Sequence, residues 1–440
     1  MSTAPPSSPS RSVGRAASLG GVLSVPGDKS ISHRSLILNA IAQGDALVQD
    51  LSGGEDVIST MHCLQAMGVD IHPEGAEGSY RIKGSGPQLV EPADILDAGN
   101  SGTSMRLLSG ILASQPFVSV ITGDGSLRSR PMQRIVLPLK QMGAQIMGRQ
   151  SDSLAPLTVR GGELQGIEYD LPMASAQVKS AIMLAALSAR GDTVIHQPAL
   201  SRDHTERMVS AMGGNVEEDG LDLTVHPTEL NAVDITVPGD ISSAAFWIVA
   251  GLCQRDARIL VSGVGMNPSR TGIVDVLQEM GAGDGLKLVD ERTEGGEPVA
   301  DLQISPAELH GVEIGGDMIP RILDEVPILA VAACFASGDT VIRDAAELRV
   351  KESDRIATTV AELTRLGANI EAREDGMVIH GTGRLTGADC ESHGDHRLAM
   401  SMAVAGLLAE GETTVHGAPD ASVSYPEFWR DLDLLTQDAR

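Results

Sequence analysis

Six times along the chain, a short polar signature opens an apolar run rich in Ala, Leu and Met. Each run ends near a Gly or charged turn and leads into a short strand-like stretch. The runs begin at Ser30 (SISHRSLILNAIAQGDALV), Ser101 (SGTSMRLLSGILASQPFVSV), Ser175 (SAQVKSAIMLAALSARGDTVI), Ser242 (SSAAFWIVAGLCQRDARIL), Asp324 (DEVPILAVAACFASGDTVI) and Asp395 (DHRLAMSMAVAGLLAEGETTV). Their starts lie 71, 74, 67, 82 and 71 residues apart, so each copy is a whole supersecondary unit, larger than the usual solenoid repeat. The apolar runs predict helices and the stretches after them predict strands.

A second echo follows in five copies, QAMGVDI at Gly68, KQMGAQI at Gly143, SAMGGNV at Gly213, QEMGAGD at Gly281 and TRLGANI at Gly367. Glycine there predicts a left-handed cap closing a second helix. Stretches such as EGSYRIKGSG and DGMVIHGTG, bounded by Gly, Pro and Asp, predict returning strands. Each repeat therefore reads as βαβ plus a returning strand pair, an α/β module of about 70 residues. The sixth copy lacks the echo and ends in FWRDLDLLTQDAR, which reads as a terminal cap. Pro238-Gly239, inside NAVDITVPGD, suits a crossover between two three-repeat domains, residues 21–238 and 239–440. Residues 1–20, rich in Ser, Pro and Arg, read as a disordered tail, a plastid-type transit remnant being the other reading. Residues 283–300, rich in Gly and Glu, read as a solvated loop.

Composition narrows the function. Hydrophobic residues make up 42% of the 440 but aromatics only 2%, so aliphatic side chains and Met must fill two cores. Cys63, Cys253, Cys334 and Cys390 form no CxxC pair or Cys/His cluster, which predicts a reducing compartment and no zinc site. A formal charge of −26 disfavours nucleic acid and anionic membranes as partners. No apolar run reaches membrane-spanning length and the N-terminus shows no secretory apolar segment, so a cytoplasmic protein is expected. Of only six lysines, Lys29, Lys179 and Lys351 fall inside signature stretches.

The chemistry-bearing residues gather at the helix starts. Lys29, Ser30 and Arg34 open the first helix, where free N–H groups favour an anion; a serine N-cap with solvated cations is the alternative. Asn100, Gly102, Thr103 and Arg106 open the second, as an anion site or a plain glycine turn. Arg128, Arg130 and Arg134 lie in one loop stiffened by Pro131, suited to carboxylate or phosphate, or simply solvated. Ser175, Ala176, Gln177 and Lys179, with Ser201, Arg202 and His204, add donors suited to a polyhydroxylated anion, although a lone histidine is more often structural. Asp324, Lys351, Glu352 and Arg355 supply carboxylates and cations, Lys351 and Arg355 sharing a face at i,i+4; an ordinary charged helix start is the other reading. Asp395 suits a cap, with Arg397 the more informative neighbour. Repeat four opens with the bland ISSAAF. No GxxxxGK[ST] or strand-bound GxGxxG appears, so the expected ligands are one or two small anions, with group transfer by proton chemistry.

At GDKSISHRS, GNSGTSMR, SLRSRPMQR, MASAQVKSA, SRDHTER, DEVPILAVAA, RVKESDRIA and DHRLAM the chain closely resembles the 5-enolpyruvylshikimate-3-phosphate (EPSP) synthase family of enolpyruvyl transferases. The resemblance implies a two-domain inside-out α/β barrel of six βαβαββ repeats, helices inside and sheets outside. It also implies that the segment before about residue 24 returns to the C-terminal domain and that the site lies in the interdomain cleft. The implied reaction moves the enolpyruvyl group of phosphoenolpyruvate (PEP) to the 5-hydroxyl of shikimate 3-phosphate, releasing phosphate, without metal or cofactor and in a monomer. By resemblance, Lys29, Ser30, Arg34, Ser175, Ala176, Gln177, Ser201, Arg202, Asp324 and Lys351 hold shikimate 3-phosphate. Lys29, Asn100, Gly102, Arg130, Gln177, Arg355 and Arg397 hold PEP. Asp324 takes the hydroxyl proton, Glu352 protonates and later deprotonates the PEP methylene carbon, and Lys29 assists the developing alkoxide or the leaving phosphate. Lys351 and Arg355 would lower the pKa of Glu352, so its acidity is expected to be set by the bound anions.

Where many relatives place a lysine near ASVSYPEF, this chain has Ala421, Ser422 and Val423. Gly102 matches the family glycine whose replacement by alanine excludes glyphosate. The rival reading is a UDP-N-acetylglucosamine enolpyruvyl transferase, which generally carries a reactive Cys in the loop corresponding to GDGSLRSRP; none is present here. A non-catalytic six-repeat scaffold would lack the charges that repeats one, two, five and six carry.

Overall fold

A computed structural model describes residues 9–294 and 296–437. The six apolar runs form helices α1 (Lys29–Ile41), α2 (Gly102–Ala113), α3 (Ala176–Ala186), α4 (Ile241–Cys253), α5 (Val326–Phe335) and α6 (His396–Leu408). Every residue of α6 is buried, and every residue of α4 except Cys253. Helices apolar on all sides are stable only when surrounded, so the sheets wrap around them. One hydrophobic core contains α1, α2 and α3; a second contains α4, α5 and α6. Among the described residues no helix is long and apolar enough to cross a membrane.

Repeat two shows the pattern. Leu96–Asp97 runs parallel to Val118–Thr122 across α2, which pairs antiparallel with Leu154–Arg160 and that in turn with Gln145–Gly148. Repeats three and five use the same strand order. Repeats one and four exchange their first strands: Leu19–Ser24 runs parallel to Ala257–Gly265, and Ile235–Thr236 parallel to Asp45–Gln49. The chain therefore divides at Pro26/Gly27 and at Pro238/Gly239. Gly27–Pro238 makes one compact unit; the described residues up to Pro26, Gly239–Thr293 and those from Glu297 onward make the other.

The five echo glycines all have positive φ, from +81° at Gly367 to +114° at Gly143. At Gly68 the cap is a Schellman motif: Val69 N–H donates to the Leu64 carbonyl at 3.1 Å and Gly68 N–H to Gln65 at 3.0 Å, a pattern that recurs at the other four. Left-handed backbone without strain is what glycine supplies there.

Two expectations need correction. The tail assigned to residues 1–20 contains a strand, Ser10–Gly14, paired antiparallel with Glu412–His416, with Val13 in the core; residues 1–8 lie outside the described part. Among the described residues the sixth repeat has no returning strand pair of its own, and this N-terminal strand fills the place beside it. Its partner is some 400 residues away in sequence, so local composition could not announce it. The loop assigned to 283–300 is instead largely two neighbouring strands, Leu286–Glu294 and Glu297–Ile304. Lys287, Asp290 and Glu291 are exposed on a half-buried ribbon while Glu297 is buried and accepts from Asn267 Nδ2, an arrangement the Gly/Glu content disguised.

Helices α2 and α3 cross at Gly110, where a Cβ would lie 2.3 Å from the Ala181 carbonyl oxygen. Gly110→Ala should gain about 1 kcal/mol of helix propensity. The clash is with backbone, which no rotamer change relieves, and overpacking of this kind costs about 1–3 kcal/mol. Net destabilisation is expected, read as a lower urea midpoint at unchanged slope.

Candidate active site

In the unit Gly27–Pro238 the N-termini of α1, α2 and α3 are tied together by side chains. Asp28, not Ser30 or Ser32, caps α1, accepting from Ile31 N–H at 2.9 Å. Ser30 Oγ is thereby left to accept from Arg202 Nη1 at 3.3 Å. Arg34, buried, donates through Nε to Thr205 Oγ1 (2.6 Å), Nη2 to Ser180 Oγ (2.8 Å) and Nη1 to the Ser30 carbonyl (2.9 Å), joining α1 to α3. Arg106 Nη1 donates to Gln177 Oε1 at 2.5 Å, and Gln177 Nε2 to Thr103 Oγ1 at 2.9 Å, joining α2 to α3. Arg130 Nη2 donates to Asn100 Oδ1 at 2.6 Å, and Asn100 is itself fixed by Asp124 at 2.7 Å. Ser101 and Ser175 cap α2 and α3, accepting from Ser104 N–H and Val178 N–H. Ser175 thus opens α3 ahead of Ala176, while Ser201, buried, bonds Gln197 Oε1 at 3.3 Å.

Lys29 Nζ lies 3.0 Å from Asp56 Oδ2, in the first turn of the helix Glu55–Ala66. Gly102 is the first residue of α2, and a Cβ on it would lie 2.6 Å from Arg106 Nη1 and 3.5 Å from Arg130 Nη1. The glycine therefore lets two guanidinium groups close over the helix start.

Not every signature cation joins this set. Lys179 is 1% exposed and pairs with Glu206 at 2.5 Å, donating also to the Ser201 carbonyl, which makes it a buried structural ion pair. Arg128 is exposed, and Arg134 Nη1 reaches Met173 Sδ at 3.7 Å. His204 is buried.

The other unit carries the carboxylates, and one guanidinium gathers them. Arg355, 2% exposed, donates through Nη2 to Glu352 Oε2 (2.7 Å), Nη1 to Asp324 Oδ1 (3.2 Å) and Nε to Asp395 Oδ2 (2.8 Å). Burial opposes its charge, but Asp395, Glu352 and Asp324 outweigh that and hold it protonated more firmly than usual. Lys351 Nζ also approaches Asp324 Oδ1, at 3.7 Å. Lys351 and Arg355 do not share a helical face, because the helix Arg355–Arg365 begins after Lys351, with Asp354 as its cap; the two meet through Asp324 instead. Asp395 caps α6, and Arg397 Nη1 donates to the Ser242 carbonyl at 3.1 Å. Ala421–Val423 end a 3₁₀ turn, Ala418–Val423, whose one charged residue is Asp420, so it adds no cation.

The model of the family described as EPSP synthase (3-phosphoshikimate 1-carboxyvinyltransferase) matches residues 13–432. The chain belongs to the EPSP synthase family. It is 54% identical to the 3-phosphoshikimate 1-carboxyvinyltransferase of Gloeobacter violaceus, over 95% of this chain and 97% of that protein. It is 51% identical to the enzyme of that name from Bacillus cereus, over 95% and 97%. The structure of EPSP synthase from Acinetobacter baumannii superimposes with a TM-score of 0.86 at 43% identity, covering 97% of this chain and 98% of that one. The enolpyruvyl transferase NikO from Streptomyces tendae, 19% identical with a TM-score of 0.79 over 98% of both chains, shares the fold.

Within this member of the EPSP synthase family, several partners gave no sequence signal strong enough to pick them out. Asp56 sits in an ordinary helix start and Glu206 in a charged stretch; only the folded chain brings each to its lysine. His33, within the first signature, is wholly buried with Nδ1 2.7 Å from Thr60 Oγ1, which contacts Ser104 Oγ at 2.6 Å. Burial first, then the charges of Lys29 and Arg34, push its pKa well below 6.5. The unfolded chain protonates this imidazole near 6.5 while the folded one does not. Stability contributed by neutral His33 is therefore complete above that pH and lost below it, at up to about 1.4 kcal/mol per pH unit. Urea unfolding from pH 7 to 5 should show a steeper loss for the wild type than for His33→Asn; parallel slopes would contradict the assignment.

Proposed function

We propose that this protein transfers the enolpyruvyl group of PEP to the 5-hydroxyl of shikimate 3-phosphate, giving EPSP and phosphate. Three carboxylates on one buried guanidinium support this reading most directly: the candidate proton acceptor, Asp324, and the candidate proton carrier, Glu352, are both held by Arg355. The full-length identity to 3-phosphoshikimate 1-carboxyvinyltransferases supports it independently.

In this reading Lys29, Ser30, Arg34, Ser175, Ala176, Gln177, Ser201, Arg202, Asp324 and Lys351 bind shikimate 3-phosphate. Lys29, Asn100, Gly102, Arg130, Gln177, Arg355 and Arg397 bind PEP. Guanidinium forks suit its carboxylate and phosphate bidentately. Asp324 takes the 5-hydroxyl proton as that oxygen bonds to C2 of PEP, and Glu352 delivers a proton to C3, giving a tetrahedral adduct. Elimination reverses the second step: Glu352 removes a proton from the new methyl group, the double bond reforms, and phosphate leaves beside Lys29. Arg355 donates to Glu352, and Glu352 becomes free to act as an acid when a bound anion draws those donors away. The strongly negative net charge fits a cytoplasmic monomer with no nucleic acid partner, and small anions are left to the local cations at the helix starts.

Phosphate release with PEP plus shikimate 3-phosphate, compared with PEP plus UDP-N-acetylglucosamine, tests the reading; turnover with only the sugar nucleotide would sink it. Glu352→Gln should lower turnover by about 100-fold or more, the scale of a lost general acid–base group, with shikimate 3-phosphate affinity nearly intact. Glyphosate should compete with PEP, and Gly102→Ala should weaken that inhibition by crowding Arg106 and Arg130. Equal inhibition of wild type and variant would remove Gly102 from the PEP site.

A further inference from the structure

Repeat four is the plainest of the six in sequence, its ISSAAF opening carrying no ionisable group. The fold brings a cation to it from elsewhere. Arg270 lies in the loop before the helix Gly272–Glu279 and is 2% exposed. Its Nη2 is 3.0 Å from Asp240 Oδ1, 2.5 Å from Ser242 Oγ and 3.8 Å from Glu325 Oε1. Asp240 caps α4, accepting from Ser242 N–H at 2.9 Å, and Ser242 Oγ also donates to Glu325. All four residues are buried, so each charge depends on the others for compensation.

Two links lead from this cluster to groups in the proposed mechanism. Glu325 is the neighbour of Asp324, whose carboxylate meets Arg355 and Lys351. Ser242 offers its carbonyl to Arg397 Nη1. One guanidinium thus sets the starts of α4 and α5, and through them the directions of a carboxylate and a second guanidinium.

We propose that Arg270 is a positioning residue for the reaction, fixing Asp324 through Glu325 and Arg397 through Ser242 while touching no substrate. The inference rests on the roles given above to Asp324 and Arg397. The planar geometry matters as much as the charge: Nη2 directs its two N–H donors to Asp240 Oδ1 and Ser242 Oγ and holds the Glu325 carboxylate at 3.8 Å by charge, and a lysine ammonium on a flexible stem would not hold them in the same directions.

The test uses the full chain with Arg270→Lys, Arg270→Met, Glu325→Gln, Arg270→Met/Glu325→Gln and, in parallel, Asp324→Asn. Thermal unfolding and separate kcat and KM values for PEP and shikimate 3-phosphate are measured. Arg270→Lys and Glu325→Gln should fold with midpoints near the wild type, yet turn over about 10- to 100-fold more slowly, the scale of misplacing a reacting group by a fraction of an ångström to an ångström. KM for PEP should rise through Arg397. The double variant should be more stable than Arg270→Met, having one fewer uncompensated charge, without recovering turnover. A purely structural role predicts that activity follows stability, so recovered turnover in the double variant, or wild-type kcat and KM in both Arg270→Lys and Glu325→Gln, overturns the inference. If those two behave as wild type while Asp324→Asn is inactive, only the inference fails; full turnover by Asp324→Asn removes the reading on which it rests.

Discussion

Six helices that are apolar around their circumference can exist in water only if something covers them, and that requirement governs the rest of this molecule. With the sides of the helices committed to the cores, polar function is left to their ends. Helix N-termini carry N–H groups with no partner inside the helix, together with the positive end of the dipole. Serines and aspartates there are caps as much as ligands: Asp28, Ser101, Ser175, Asp240 and Asp395 each accept a backbone N–H. The same stretches that let the helices begin also carry the cations proposed to bind anionic molecules.

Crowding charge onto buried helix ends has an electrostatic consequence. An uncompensated charge there would cost several kcal/mol, so the protein supplies its own counter-ions before any substrate arrives. Arg355 has three carboxylates, Lys29 has Asp56, and Arg270 has Asp240 and Glu325. In the proposed function, anion binding is then an exchange of partners around groups already aimed. In Arg355 the exchange is coupled to chemistry, because the carboxylates that would yield donors to PEP are those proposed to carry protons.

The six runs, their second helices and the five glycine caps were legible because each depends on residues close together in sequence. The helix-start residues were legible for the same reason, as polar islands in apolar text. Strand exchange between repeats one and four was not, nor the pairing of Ser10–Gly14 with Glu412–His416, since a pairing partner hundreds of residues away leaves no local mark. Counter-ions were missed on similar grounds. Lys179 stood out as a rare lysine in a signature, yet Glu206 takes it into the interior; Arg270 sat in an unremarkable loop, yet it anchors the repeat that looked empty.

The exchanged strands also bear on how such a chain is made. During synthesis, Ser10–Gly14 and Leu19–Ser24 emerge long before their partners, Glu412–His416 and Ala257–Gly265. The repeats spanning Gly27–Pro238 can complete their sheets midway through translation, when Ile235–Thr236 appears, because all their strands lie within that span. Ser10–Gly14 has to wait, with its backbone donors and acceptors open to water, until Glu412–His416 has been made. Such long-range closure makes the last steps of folding slow compared with helix formation, and the cell must keep the waiting strands from pairing with a neighbouring nascent chain.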